Sequence, residues 1–185
     1  MCRKIVYTSG ETEKRQVQNN VTFEPVKIEE VPELVRLRLL TRIETYSDIY
    51  PREWFDGFDT AQSEEKFRKI ASDSDQNLLF INVDGKHAGY LCFGKEMEKT
   101  MPENSICINM LYLFRAFQRR GIGVLAIEQV RNYCRSIGHG RFYNGCNMHN
   151  VAALRFYRAI GGKVIAEYGG HENRALDQTV FEHLI

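Results

Sequence analysis

Residues 106–123 read ICINMLYLFRAFQRRGIG, and the order of features in that stretch decides the kind of fold. Ile106–Leu113 is apolar enough for a strand covered on both faces. A basic turn with glycines at 121 and 123 follows. Gly123–Ile137 then places Ile127, Val130, Cys134 and Ile137 on one helical stripe, closed by Gly138. A helix start leaves main-chain N–H groups unpaired and carries partial positive charge, so it receives phosphate readily. Gly121 and Gly123 allow the backbone to approach a ligand closely. Arg119 and Arg120 add positive charge where a pyrophosphate or ribose phosphate would lie. An ordinary basic strand-to-helix turn would use the same residues, so the string alone does not separate the two readings.

Upstream, Leu78–Val83 and Lys86–Phe93 flank Asp84-Gly85 and predict an antiparallel hairpin. Val21–Ile28 alternates like an opening strand, with Pro25 favouring an edge. Helices are expected over Glu29–Tyr46 and from about Thr60 to Ser72, the latter with Phe67, Ile70 and Ala71 inward; Asp48–Asp59 reads as a loop broken by Pro51 and Gly57. Downstream come a strand at Phe142–Asn147, a helix at Asn150–Ile160 with Ala153, Phe156, Tyr157 and Ile160 on one face, and strands at Lys163–Tyr168 and about Gln178–Ile185. The order β-α-α-β-β-β-α-β-α-β-β describes a mixed α+β sheet. Residues 1–20 read as an N-terminal extension and 21–185 as a single domain.

The 185 residues carry 25 Lys plus Arg against 24 Asp plus Glu, and a net charge of +1 gives no reason to expect nucleic acid or a membrane surface as partner. Five cysteines with no C-x-x-C pair suit neither a metal site nor a disulfide framework; they read as reduced thiols in a cytoplasmic protein. No secretory signal and no membrane-spanning run is visible.

Other phosphate loops fit poorly. No G-x-x-x-x-G-K-[ST] string exists. Gly121-Ile122-Gly123-Val124-Leu125-Ala126 matches the G-x-G-x-x-A pattern, yet Arg141–Asn147 lacks the acid expected about 20 residues on. The segment Gln118-Arg119-Arg120-Gly121-Ile122-Gly123 instead resembles the [Q/R]-x-x-G-x-[G/A] hallmark of the GNAT superfamily of N-acetyltransferases. Asn150, Ala153 and Tyr157, within NVAALRFYRAIGG, match a second signature of that family. The resemblance is strong over Ile106–Gly162 and looser over Val21–Ile185.

The resemblance implies an α+β fold with a twisted, mostly antiparallel sheet of about seven strands, splayed between the fourth and fifth and flanked by about four helices. It implies acetyl-CoA as co-substrate and no metal. Leu111 and Leu113 would offer main-chain groups to the pantetheine arm. The N–H groups of Gln118, Arg119, Arg120, Gly121, Ile122, Gly123 and Val124 would cradle the pyrophosphate, and Asn150, which also suits a helix N-cap, would bond the pantetheine. Tyr157 would act as general acid on the departing thiolate, with the N–H of Leu113 stabilising the oxyanion. The acceptor is expected to be a primary amine of a small molecule, with a peptide acceptor or a non-catalytic acyl-CoA-binding module as alternatives; a homodimer is a further implied partner. Many family members carry a glutamate on the fourth strand as base, whereas Asn109-Met110 cannot serve. His149, Glu44 and Glu103 are candidates only because they titrate. Cys146 is a poor candidate nucleophile. The carboxylates and aromatics of Glu44–Asp59 would suit a cationic amine, or else form a solvated acidic loop anchored by core aromatics.

Overall fold

The computed structural model describes residues 20–185, so Cys2 and all of the expected extension except Asn20 lie outside the described residues. A seven-stranded sheet has the order β1-β2-β3-β4-β5-β7-β6. Its strands are β1 (Val21–Pro25), β2 (Gln76–Val83), β3 (Lys86–Lys95), β4 (Ile106–Leu113), β5 (Arg141–Asn147), β6 (Lys163–Tyr168) and β7 (Gln178–Leu184). Every neighbouring pair is antiparallel except β4 and β5, which run parallel. β1 stops at Pro25 on the sheet edge, where a missing N–H costs no ladder bond.

Helices cover both faces. On one side α4 (Ile122–Ser136) and α5 (Val151–Ala159) pack Ile127, Val130, Cys134, Leu154 and Tyr157 against Leu91, Phe93, Ile108 and Phe142. On the other, α1 (Val31–Tyr46) and α3 (Thr60–Ala71) bury Leu34, Leu37, Phe67 and Ile70 against Phe80, Tyr90 and Cys92. Tyr90 and Cys92 face one layer while Leu91 and Phe93 face the other, the alternation a doubly covered strand requires.

Three expectations need correction. The segment expected to be loop contains a fifth helix, the single turn α2 (Glu53–Asp56); four residues are too few to show a period in sequence, and Trp54 is held by ring contacts with Tyr46, Tyr50 and Phe55. Ile137 is 44% exposed because α4 ends one residue earlier and Ile137 becomes its C-cap. β4 is fully covered only over its first three residues, Ile106–Ile108. The rest is half-buried because its neighbouring strand has moved away. Among the described residues, no helix is long and apolar enough to cross a membrane.

Candidate acyl-transfer site

β4 and β5 pair at only two positions, Cys107↔Tyr143 and Ile108↔Asn144. The cause lies in the next residue. Against β3, Met110 pairs with Cys92 and Ile108 with Phe93, which leaves Asn109 as an extra residue in β4. Such a bulge bends its strand and reverses which side chains face which layer. Before it, Ile106 and Ile108 pack toward α4 and α5; after it, Leu111 and Leu113 do, while Met110 and Tyr112 turn toward α1 and α3. The Asn109 amide pins the bulge by donating to Gln76 Oε1 at 2.9 Å and to the Lys95 carbonyl at 3.0 Å.

The bent half of β4 therefore has one paired edge and one open edge. Phe114 N–H donates to Ala88 O of β3 at 3.0 Å. Strand alternation then directs the main-chain groups of Leu111 and Leu113 the other way, into the gap beside β5. The Leu113 carbonyl there accepts Gln118 Nε2 at 2.9 Å. Sequence placed Gln118 here as an amide donor, but its own N–H is bonded to Arg115 O at 3.1 Å.

The turn that follows has left-handed backbone at Arg119 (φ 60°) and at Gly121 (φ 80°), the N-cap of α4. Val124 N–H donates to Gly121 O at 3.0 Å. Two of the expected amides, Gln118 and Val124, are thus bonded within the protein. Among the described residues, the N–H groups of Arg119, Gly121, Ile122 and Gly123 donate to no main-chain or side-chain acceptor, and they gather at the positive end of a 15-residue helix. Four open amides on a turn exposed to solvent fit a diphosphate. The Arg120 guanidinium lies over the Phe117 ring, 5.5 Å from its centre. A Cβ on Gly123 would meet the Phe156 ring at 3.1 Å, so this glycine sets how closely α4 and α5 approach.

Asn150 is the N-cap of α5, accepting Ala153 N–H at 3.1 Å. Tyr157, 7% exposed, packs against Phe156, Phe181 and His183. Burial, reinforced by the nearby Cys146 thiol and Tyr112 phenol, pushes its pKa well above the usual phenol range. Those two neighbours come from the two separating strands, so Tyr157 stands where they part. Cys146 is an unreactive thiol, pushed up to about 12 by burial.

On the other face a cavity of about 210 Å³ opens beside the gap, lined among others by Met110, Tyr112, Gly145, Arg38 and Lys66. A shallower depression of about 400 Å³ along α3 touches neither β4 nor β5 and cannot serve a group held between them. Of the five carboxylates in Glu44–Asp59, three have partners within the protein, Asp59 capping α3 by accepting Gln62 N–H at 2.8 Å. Glu44 Oε2 accepts Arg115 N–H at 2.8 Å, and Asp48 pairs with the Arg115 guanidinium at 2.6 Å. Trp54 is already covered by Arg42 at 4.7 Å. Of the candidate bases, Glu103 is exposed on a loop. His149 has Nε2 on Asp177 at 2.9 Å and Nδ1 beside Arg174 at 2.8 Å, which leaves neither nitrogen free.

The sequence model of the Acetyltransferase (GNAT) family matches residues 43–161, more than half of the chain. This chain belongs to the GNAT family. Of curated proteins, it is 25% identical over 139 residues to an uncharacterized N-acetyltransferase in the pepI 3' region of Lactobacillus delbrueckii subsp. lactis, covering 74% of this chain and 80% of that one. Among solved structures it is similar to the PaiA N-acetyltransferase of Thermoplasma acidophilum in complex with coenzyme A, with a TM-score of 0.74 and 18% identity over 90% of this chain and 99% of the other. It is also similar to the microcin C7 self-immunity acetyltransferase MccE in complex with acetyl-CoA and AMP (TM-score 0.65, 18% identity, 89% and 92% covered).

This GNAT acetyltransferase also carries groups that the sequence did not single out. Arg38 and Lys66 lie 28 residues apart on separate helices, and no motif links them; only the packing of α1 on α3 brings them to one cavity. The buried Asp177 holds two imidazoles, His149 and His171, the latter through Nδ1 at 2.8 Å. Hydrogen bonds from both rings and from the His171 N–H lower the Asp177 pKa to about 2. Its only forewarning in sequence was an acid beside the last strand.

Proposed function

We propose that this GNAT acetyltransferase moves an acetyl group from acetyl-CoA to a primary amine of a small molecule. The observation that carries the reading is the parting of β4 from β5 after Ile108↔Asn144, with open α4 amides on one side of the gap and a cavity on the other. The N–H groups of Arg119, Gly121, Ile122 and Gly123 would hold the diphosphate, and the Arg120 side chain adds positive charge beside them. The open main-chain edge at Leu111 and Leu113 would pair with the amide-containing pantetheine as an added strand does. Asn150 presents its amide nitrogen to the same arm while its oxygen caps α5.

Acetyl-CoA supplies the acyl group as a thioester, whose carbon the amine nitrogen attacks to form an amide and release the CoA thiol. The Leu113 N–H, fixed by the β3 ladder, is a donor already in place for the carbonyl oxygen. Tyr157 keeps its proton across the working pH range because burial raises its pKa, so the phenol can give that proton to the departing sulfur. Asn109 at the bulge cannot take the amine proton, which passes to water in the open cavity, where Glu98 is the one carboxylate in the wall. A cavity of about 210 Å³ lies below the 300–1,000 Å³ of drug-sized sites, which favours a small acceptor over a peptide.

Calorimetric titration with CoA, followed by thiol release from acetyl-CoA against a panel of amines, tests the reading. It expects micromolar-range binding and amine-dependent release. CoA binding without any amine-dependent release would point to a binding module instead.

A further inference from the structure

The acceptor side of the gap is cationic. Arg38 and Lys66 line the 210 Å³ cavity, and Arg42 stands one turn beyond Arg38 on the same helix. Among the described residues, none of the three makes an ion pair with a carboxylate. Aromatic faces hold the guanidiniums instead, Arg38 over Phe67 at 5.3 Å and Arg42 over Trp54 at 4.7 Å. Arg38 has five N–H donors to satisfy. Its Nη1 donates to the Met110 thioether at 3.3 Å, the buried Tyr90 hydroxyl lies near the guanidinium, and its Nε is buried with no acceptor at hydrogen-bond geometry. The one carboxylate in the cavity wall is Glu98.

Grouped like charges oppose one another. Partial burial and then the field of Arg38 lower the pKa of Arg42, and the same two causes, in the same order, lower that of Lys66 although much of its side chain is exposed. A planar guanidinium with unsatisfied donors beside an ammonium is the arrangement that accepts a carboxylate or phosphate bidentately. The position matters as much as the charge. Met110, which Arg38 touches, is the residue of β4 directly before Leu111, whose main chain faces the gap. An anion held by Arg38 would therefore sit only a few bonds from an amine presented to the thioester.

Resting on the acetyl-transfer reading above, we propose that the acceptor is an anionic amine: a small primary amine carrying a carboxylate or phosphate that Arg38 and Lys66 bind, with Arg42 adding to the field. This proposal takes the place of a cationic acceptor, since two of the acidic groups that suggested one, Glu44 and Asp48, are bound to Arg115.

The test compares thiol release with propylamine, putrescine, β-alanine and phosphoethanolamine, which differ mainly in the charge at the far end. Wild type is expected to use β-alanine or phosphoethanolamine with kcat/KM at least about tenfold above propylamine, and the better of the two tells carboxylate from phosphate. Arg38→Gln and Lys66→Gln should each reduce that preference about tenfold, mainly through KM, while leaving the calorimetric Kd for CoA unchanged. Lys66 is exposed on α3, so Lys66→Gln keeps the test valid should Arg38→Gln disturb α1. Equal rates across the panel, a preference for putrescine, or an anionic preference untouched by both variants would overturn the proposal while leaving acetyl transfer standing. Absence of both CoA binding and turnover of any amine would instead remove the reading on which it rests.

Discussion

The Glu44 carboxylate accepts the main-chain N–H of Arg115 at 2.8 Å, joining the last turn of α1 to the segment between β4 and α4. Asp48 adds a second tie to the same residue through the Arg115 side chain. The two ties differ in worth. The Asp48 pair is exposed on both sides, 54% for Arg115 and 74% for Asp48, so Asp48→Asn should change stability by less than about 1 kcal/mol. Glu44→Ala removes an ionised acceptor from a main-chain donor and should cost about 1 kcal/mol, partly restored in Glu44→Gln. Urea midpoints of the three variants check the ranking. Since Arg115 opens the connection leading to the α4 turn, Glu44→Ala should also raise the Kd for CoA a few-fold. The KM for putrescine should not respond to Asp48→Asn.

Gly121 separates backbone geometry from steric fit. At φ 80° it occupies a region that costs an L-residue about 1–2 kcal/mol, yet a Cβ there would meet no atom within 4 Å. Gly121→Ala should therefore fold, with an unchanged far-UV spectrum and a melting temperature lower by several degrees. The same Cβ would stand beside the open amides. We expect the Kd for CoA to rise about tenfold or more, measured by calorimetry. Wild-type affinity in this variant would remove the turn from the diphosphate site.

Much of this architecture was legible because it is local. The Asp84-Gly85 hairpin, the Ile106–Leu113 strand and the stripe of α4 each declare themselves within a window of about ten residues, and the structure places them within a residue or two of expectation. Asn109 was legible only as an absence of carboxylate. That it is a bulge depends on how β4 registers against β3, a non-local property that no period reveals. Charge was legible only in part for the same reason. Glu44 and Asp48 stand out in a linear reading, but their partner is Arg115, 71 and 67 residues away. Arg38 and Lys66 look like ordinary helix-surface cations until α1 and α3 are packed together.

Tyr157→Phe tests the proposed proton donor with little disturbance to packing. The ring stays against Phe156, Phe181 and His183, at centroid distances of 5.3, 5.6 and 6.0 Å. Stability should change by less than about 1 kcal/mol, because only the hydroxyl is lost. Loss of a general acid typically costs about 10²–10⁴ in rate, and a thiolate needs less help than an alkoxide, so a fall in kcat of about tenfold to a hundredfold is expected. KM for acetyl-CoA should be nearly unchanged. Because burial holds the phenol protonated, wild type and variant should share the alkaline side of their pH profiles. An unchanged kcat would assign the proton to water.

His183 should govern stability in mild acid. Its ring is 1% exposed, stacked on Phe142 at 4.6 Å, with Nε2 at 2.7 Å from Asn144 Oδ1. Burial, with Arg131 nearby, lowers its pKa from 6.5 to about 4. Between those values the unfolded chain binds a proton that the folded protein refuses, so stability rises with pH across the window and is lost as pH falls from 6.5 toward 4. A shift of that size corresponds to about 3 kcal/mol over the full window. Asp177 acts in a lower range: its depressed pKa gives stability that is present above pH 3.8 and lost as pH falls toward 2. His183→Gln keeps a donor for Asn144 but cannot titrate. It should cost about 1–2 kcal/mol at neutral pH, where the ring stack is lost. Urea midpoints at pH 7 and pH 4.5 should then differ much less in the variant than in wild type. Parallel acid slopes in the two proteins would show that a different group takes up the proton.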